Sequence, residues 1–133
     1  MQTKFLNPPT LCPTIGWTHV VTHSTAGKTI YVSGQVSVNE KGEVVGKGDL
    51  KAQVVQTFEN LKHALAVAGA TFKDVVKSNL YVVGLKPDVM PMIREVRARY
   101  FEAKNPPAST LVGVEKLVGP DWLIEIEVVA VMA

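Results

Sequence analysis

Two glutamates on a single strand are the first residues in this chain that could do chemistry. Trp122, Ile124, Ile126, Val128 and Ala130 form a strict period-2 apolar series, which predicts one buried face of a β-strand. Successive side chains alternate across the pleat, so Leu123, Glu125, Glu127, Val129 and Val131 point to the other face. A carboxylate on a partly desolvated face can act as a general acid or base and position a water, as hydration of a carbon-nitrogen double bond requires. Glu125 is the candidate for that role. The alternative is structural: an ion pair across strands with Lys77 or Lys116, or a place at an exposed edge.

Other reactive types are sparse. His19 and His23 are four residues apart, but in an extended segment that spacing separates them by about 13 Å, too far to share a metal ion. His63 falls on the side of a predicted helix away from its apolar stripe. Cys12 is the only cysteine, so neither an internal disulfide nor a cysteine metal motif is available. No Gly-rich phosphate loop and no strand-to-helix serine elbow occurs, which leaves nucleotide binding and serine hydrolysis without a basis. Gly34 interrupts a β-branched run, where a glycine marks a bulge or the close approach of another group to the backbone.

These residues need a frame. Thr3 to Asn7 reads as a short strand ended by Pro8-Pro9, and a loop with Pro13 and Gly16 follows. Trp17 to Thr22 and Lys28 to Val38 are β-branched and aromatic, with Ala26-Gly27-Lys28 between them, a hairpin pattern. Asp49 is placed to cap a helix running to about Ala68, with Val54, Phe58, Leu61, Leu65 and Ala68 on one stripe and Gly69 just past the end. Gln53, Glu59 and Lys62 are expected to face water. Thr71 to Val83 returns to strand character. Asp88 is placed to cap a second helix with Pro91 in its first turn. Val89, Met92, Ile93, Val96 and Tyr100 make its apolar side, and Arg94, Arg97, Arg99 and Lys104 are read as a solvated face. Leu111 to Glu115 alternates as a further strand, and Gly119-Pro120-Asp121 reverses the chain before the glutamate strand.

The order predicts an α+β domain over residues 1–133, with two helices on one face of a sheet of about six strands. The uncovered face would carry Tyr31, Ser33, Gln35, Asn79, Tyr81, Leu111, Leu123, Glu125, Val129 and Val131, too apolar for open water and too polar for a sealed core, so association through it is expected. In 133 residues, 47% are hydrophobic and 20% charged, and the formal charge is +2. That charge is too small to imply a nucleic-acid surface. No run of about 18 apolar residues suggests a membrane helix, the N-terminal stretch lacks the apolar core of a signal peptide, and the cytoplasm is the expected compartment.

Several separated segments together resemble the reactive-intermediate deaminase family, also called Rid or YjgF. They are VSGQV at Val32 to Val36, QTFENLKHALAVAGA at Gln56 to Ala70, DVVKSNLYVV at Asp74 to Val83, and PPASTLVGVEKL followed by IEIEVVAV. The resemblance covers essentially the whole chain. It implies a chorismate-mutase-like fold forming a homotrimer, with a small-molecule ligand bound in clefts between subunits. It also implies hydrolysis of an enamine, an imine or a related small metabolite, with neither cofactor nor metal. Carried over residue by residue, Glu125 would orient or activate water, Gly34 would offer a backbone contact and Trp17 an aromatic wall. The family's deaminases carry an arginine in a Pro-Ala-Arg-Ser/Thr motif, where a guanidinium fork would hold a substrate carboxylate. Here Pro107-Ala108-Ser109-Thr110 places Ser109 at that position, which marks a subgroup lacking the arginine, and Lys86 is the candidate substitute cation. A ligand-binding or regulatory trimer without chemistry is the second reading. Endoribonuclease or translation-inhibitor activity ranks last, since no basic groove or stacking platform supports it.

Overall fold

The computed structural model describes residues 2–11, 13–24 and 27–133, and of Val20 the backbone alone. Cys12 and the Ala26 part of the predicted hairpin turn lie outside the described residues. In chain order the described elements are β1 (Thr3–Leu6), β2 (Val20–His23), β3 (Lys28–Val36), α1 (Leu50–Val67), β4 (Val75–Val83), α2 (Met90–Arg97), β5 (Ala108–Val114) and β6 (Ile124–Met132). The main sheet has the order β3-β6-β4-β5, with β4 and β5 parallel and the other pairs antiparallel. Both helices lie over it on one side.

The class is α+β, as expected, but the single sheet of about six strands is not what forms. The strands divide into this sheet of four and a separate pair, β1 with β2. Nor does β2 form a hairpin with β3. Pairing β3 with β6 sets Ile30 and Val32 beside Ala130 and Val128 in the row beneath α1, a burial that β2 does not provide. The loop with Pro8, Pro9 and Gly16 instead turns the chain back so that β2 meets β1.

α1 forms where the apolar stripe predicts it. Asp49 accepts a hydrogen bond from the amide of Ala52 at 3.0 Å, satisfying an otherwise unpaired first-turn donor. Val54, Phe58, Leu61 and Leu65 are fully buried against Leu80, Val82, Ile124 and Ile126. Phe58 stacks on Tyr100 at 4.7 Å between centroids, and Tyr100 donates its hydroxyl to Glu59 at 2.9 Å. Burial, and then that bond, push the Tyr100 pKa up to about 12.

Three local expectations are corrected. Residues Phe72–Asp74 form a 3-10 turn in place of strand, because Thr71 and Asp74 build a reciprocal capping box. The second helix is entered through another 3-10 turn, Pro87–Val89, and Asp88 makes no cap hydrogen bond. Gln53 is buried. Its amide nitrogen donates to the carbonyls of Gly46 (3.1 Å) and Asp121 (3.0 Å), while its oxygen accepts from the amide of Leu123 (2.9 Å), so one side chain ties the start of α1 to the start of β6.

Gln53→Ala should therefore cost about 2 to 4 kcal/mol, since three buried main-chain groups lose their partner. Urea unfolding at fixed protein concentration checks this; an unchanged midpoint would show that water replaces the side chain at no cost.

Candidate functional site

The pleat of β6 places Glu125 on the uncovered face, beside Tyr81 of β4 on one edge and Val36 of β3 on the other. Between Val32 and Gln35 the β3–β6 register shifts by one residue, so Ser33 and Gly34 form a bulge. Glu125 lies in the space the bulge opens. A Cβ on Gly34 would stand 2.7 Å from its Cδ and 3.0 Å from its Oε2, so only a glycine admits the carboxylate there. Among the described residues Glu125 makes no ion pair. Lys77 points its ammonium to the Thr110 hydroxyl at 3.0 Å. The bulge also moves Gln35 to the helix side, where it borders a groove with Gln56, Asn60 and His63.

Glu127, one pleat further along the same face, is held through one oxygen, Oε1. It accepts from the Tyr81 hydroxyl at 2.7 Å and from the Asn79 amide at 3.0 Å. Those two bonds, the tyrosine first, hold its carboxyl below the usual range, and the same tyrosine bond raises the Tyr81 phenol. Two carboxylates on one face are thus held differently: Oε1 of Glu127 takes two donors, and among the described residues the Glu125 oxygens take none.

A second cluster forms at the β5 edge. The Thr18 amide donates to the Pro107 carbonyl at 3.0 Å and the Thr18 hydroxyl to the carbonyl of Pro106, which draws the loop carrying Trp17 onto the start of β5. Trp17 packs edge-on against His19, with centroids 4.6 Å apart. The Ser78 hydroxyl donates to that of Ser109 at 3.0 Å. Trp17, Ser109 and Leu111 then border a cavity of about 350 Å³ closed by Met90, Arg94 and Arg97 of α2.

Arg97, expected on a solvated face, is instead buried, 7% exposed. The helical repeat holds the signal: Arg97 lies one turn after Ile93 and one turn before Phe101, both buried, so it occupies the apolar stripe. Gly16, at a φ of +73°, lies over its guanidinium; a Cβ there would stand 3.0 Å from Nη2. Burial, and then the neighbouring charge of Arg94, lower its pKa from the ordinary arginine value.

Gly34 and Glu125 are thus brought together, and so are Trp17 and Ser109. The two pairs lie on opposite faces of the sheet: Ser109 aligns with Ser78 and through it with Val128 on the helix side, whereas Glu125 aligns with Tyr81 on the uncovered side. Lys86 is exposed at the entry to the Pro87–Val89 turn and does not border the Trp17–Ser109 cavity, where arginines of α2 stand instead. Among the described residues no three His, Cys, Asp or Glu side chains are grouped to hold a metal ion.

Two outcomes follow from this geometry. Gly34→Ala should expel the Glu125 carboxylate from the bulge while leaving the fold intact, which a crystal structure of the variant would show directly. Glu127, with its folded pKa depressed, contributes stability that is present above its unfolded pKa and is lost as pH falls through the folded value. Glu127→Gln should therefore flatten the fall in Tm below about pH 4.5, and an acid limb unchanged from the parent would refute that assignment.

A family model described as Endoribonuclease L-PSP matches residues 10–132 of the chain. A Rid-family protein of unknown function from Yersinia pestis is 40% identical, with a TM-score of 0.90 over 99% of this chain and 100% of that one. A 3-aminoacrylate deaminase, RutC, from Acinetobacter baylyi is 37% identical over 92% of this chain and 90% of its own length. A 2-iminobutanoate/2-iminopropanoate deaminase from Dermatophagoides farinae is 32% identical over 80% of each. With nearly the whole length matched in both sequence and fold, the chain belongs to the Endoribonuclease L-PSP family, that of the Rid and YjgF proteins.

Proposed function

We propose that the protein is a Rid-type deaminase that hydrolyses an enamine or imine of a small metabolite, without a cofactor, in clefts between the subunits of a homotrimer. The observation that carries this reading is the Glu125 carboxylate, half-buried, free of ion pairs among the described residues and seated against the backbone of Gly34. The deaminases among its relatives support the reaction class.

The chemistry is a hydration followed by elimination. An enamine first takes a proton at carbon, and an imine one at nitrogen, to become the iminium ion. Water adds to its carbon, giving a proton to Glu125 as the carbon-oxygen bond forms. Glu125 returns that proton to the nitrogen of the carbinolamine, the carbon-nitrogen bond breaks to release ammonia, and the hydroxyl proton passes back to Glu125 as the carbonyl forms. Main-chain groups at the Ser33-Gly34 bulge would polarise the substrate, and Trp17 would stack on its plane. The placement of the two clusters on opposite faces supports the intersubunit reading, in which one copy's uncovered face meets another copy's β5 edge so that all four residues border one ligand.

Glu125→Gln is expected to lower ammonia release from 2-iminopropanoate, generated in place by a dehydratase, by about 100-fold or more, with the oligomer intact by light scattering. Undiminished turnover would remove Glu125 from the reaction, and a monodisperse monomer would remove the intersubunit cleft.

A further inference from the structure

Among the described residues Arg97 is a charged group without a counter-ion. Its side chain makes no hydrogen bond or ion pair among the described residues. The nearby carboxylates are committed elsewhere: Glu95 to Arg99 at 2.6 Å and to Lys51 at 4.0 Å, Glu102 to Lys73 at 3.3 Å. A guanidinium stays protonated at neutral pH even when burial lowers its pKa, so the folded chain keeps a mostly buried positive charge, its nitrogens still reached by solvent, that none of its described residues neutralises. An anion in the adjoining cavity would complete it.

The surroundings fit a ligand. Arg97 borders the cavity of about 350 Å³ at the β5 edge, a size suited to a small molecule, and no acidic residue lines it. Glu95 and Glu102 border a separate, more apolar hollow on the other side of Arg97. Arg94 adds a second guanidinium at the cavity, Ser109 a hydroxyl and Trp17 a flat apolar wall. Ser109 is short and drawn back to Ser78, so it leaves the space in front of Arg97 open.

We propose that Arg97, seconded by Arg94, receives the carboxylate of the substrate in the cavity beside Trp17 and Ser109. This rests on the deaminase reading of the cleft and assigns the recognition of the substrate's carboxylate to α2. The fork that an arginine at position 109 would extend from β5 is supplied from α2, across the cavity. The planar guanidinium presents two parallel donors to a carboxylate, which a lysine cannot do.

The test is calorimetric titration of the whole protein with pyruvate and with its neutral isostere pyruvamide, comparing the parent with Arg97→Met, Arg97→Lys and the exposed control Arg99→Gln. Pyruvate should bind the parent and Arg99→Gln alike, and pyruvamide about tenfold more weakly or worse. Arg97→Met should lose pyruvate affinity by a similar factor with its Tm unchanged or raised, because the arginine has no partner to lose. Should that variant not fold, Arg97→Lys decides, with an affinity between parent and none. Equal affinity of parent and Arg97 variants for pyruvate, equal affinity of the parent for pyruvate and pyruvamide, or Arg97-dependent binding of inorganic phosphate without pyruvate would each overturn the proposal. Turnover separates it from the reading beneath it. If Arg97-dependent pyruvate binding is found but the parent releases no ammonia from 2-iminopropanoate, the receptor stands and the deaminase reading falls. If the parent turns over with a KM that Arg97→Met leaves unchanged, the deaminase stands and the receptor falls.

Discussion

The pleat of β6 is the constraint on which the rest of the structure depends. Ile124, Ile126, Val128 and Ala130 on one side are almost fully buried, and Glu125 and Glu127 stand on the other. A slip of one residue would drive both carboxylates under the helices, so the register of β6 against its two neighbours is set by the energy of that exchange. The neighbours adapt to it. β3 absorbs an extra residue at Ser33-Gly34 and β4 another near Val76, and the first of these bulges makes room for Glu125. The position of the candidate acid-base group is thus a by-product of core packing.

Local patterns make part of this fold legible in the sequence. The stripe and cap of α1 and the alternation of β6 are properties of neighbouring residues, and both appear where the spacing puts them. Strand partners are not local. Proximity along the chain suggests β2 beside β3, whereas burial beneath α1 matches β3 to β6. Bulges defeat alternation in the same way: Gln35 and Val75 sit on the helix side although simple counting puts them opposite. Gln53 and Arg97 depart from expectation for a common reason. Residue type alone assigns a polar side chain to solvent, but the helical position of each lies within reach of the apolar stripe. For Gln53 it also lies within reach of main-chain groups 68 to 70 residues away.

The candidate site is legible in its members more than in its geometry. Gly34 with Glu125, and Trp17 with Ser109, are each in contact or share a cavity, but their separation on the two faces depends on the order of strands, which no spacing encodes. Lys86 is a cation near the loop after β4, and the turn at Pro87 carries it outward. The net charge of +2 conceals a distribution: Glu125 and Glu127 share the uncovered face with Lys77, whereas Arg94 and Arg97 stand together at the β5 edge on the helix side.

β6 follows every other described strand in the chain yet lies between β3 and β4. During synthesis on the ribosome, β3 therefore has no partner in the main sheet, and β4 has only β5, until β6 has left the exit tunnel. The pairing of β3 with β6 also joins residues such as Lys28 and Met132, far apart along the chain, which places a large loop-closure entropy before the sheet's completion. Nascent chains must accordingly keep the apolar rows of β3 and β4 from pairing with other copies until β6 is available. A fold that inserts its last described strand in the middle delays assembly until that strand emerges, and premature contact between nascent chains on one messenger is the hazard it carries.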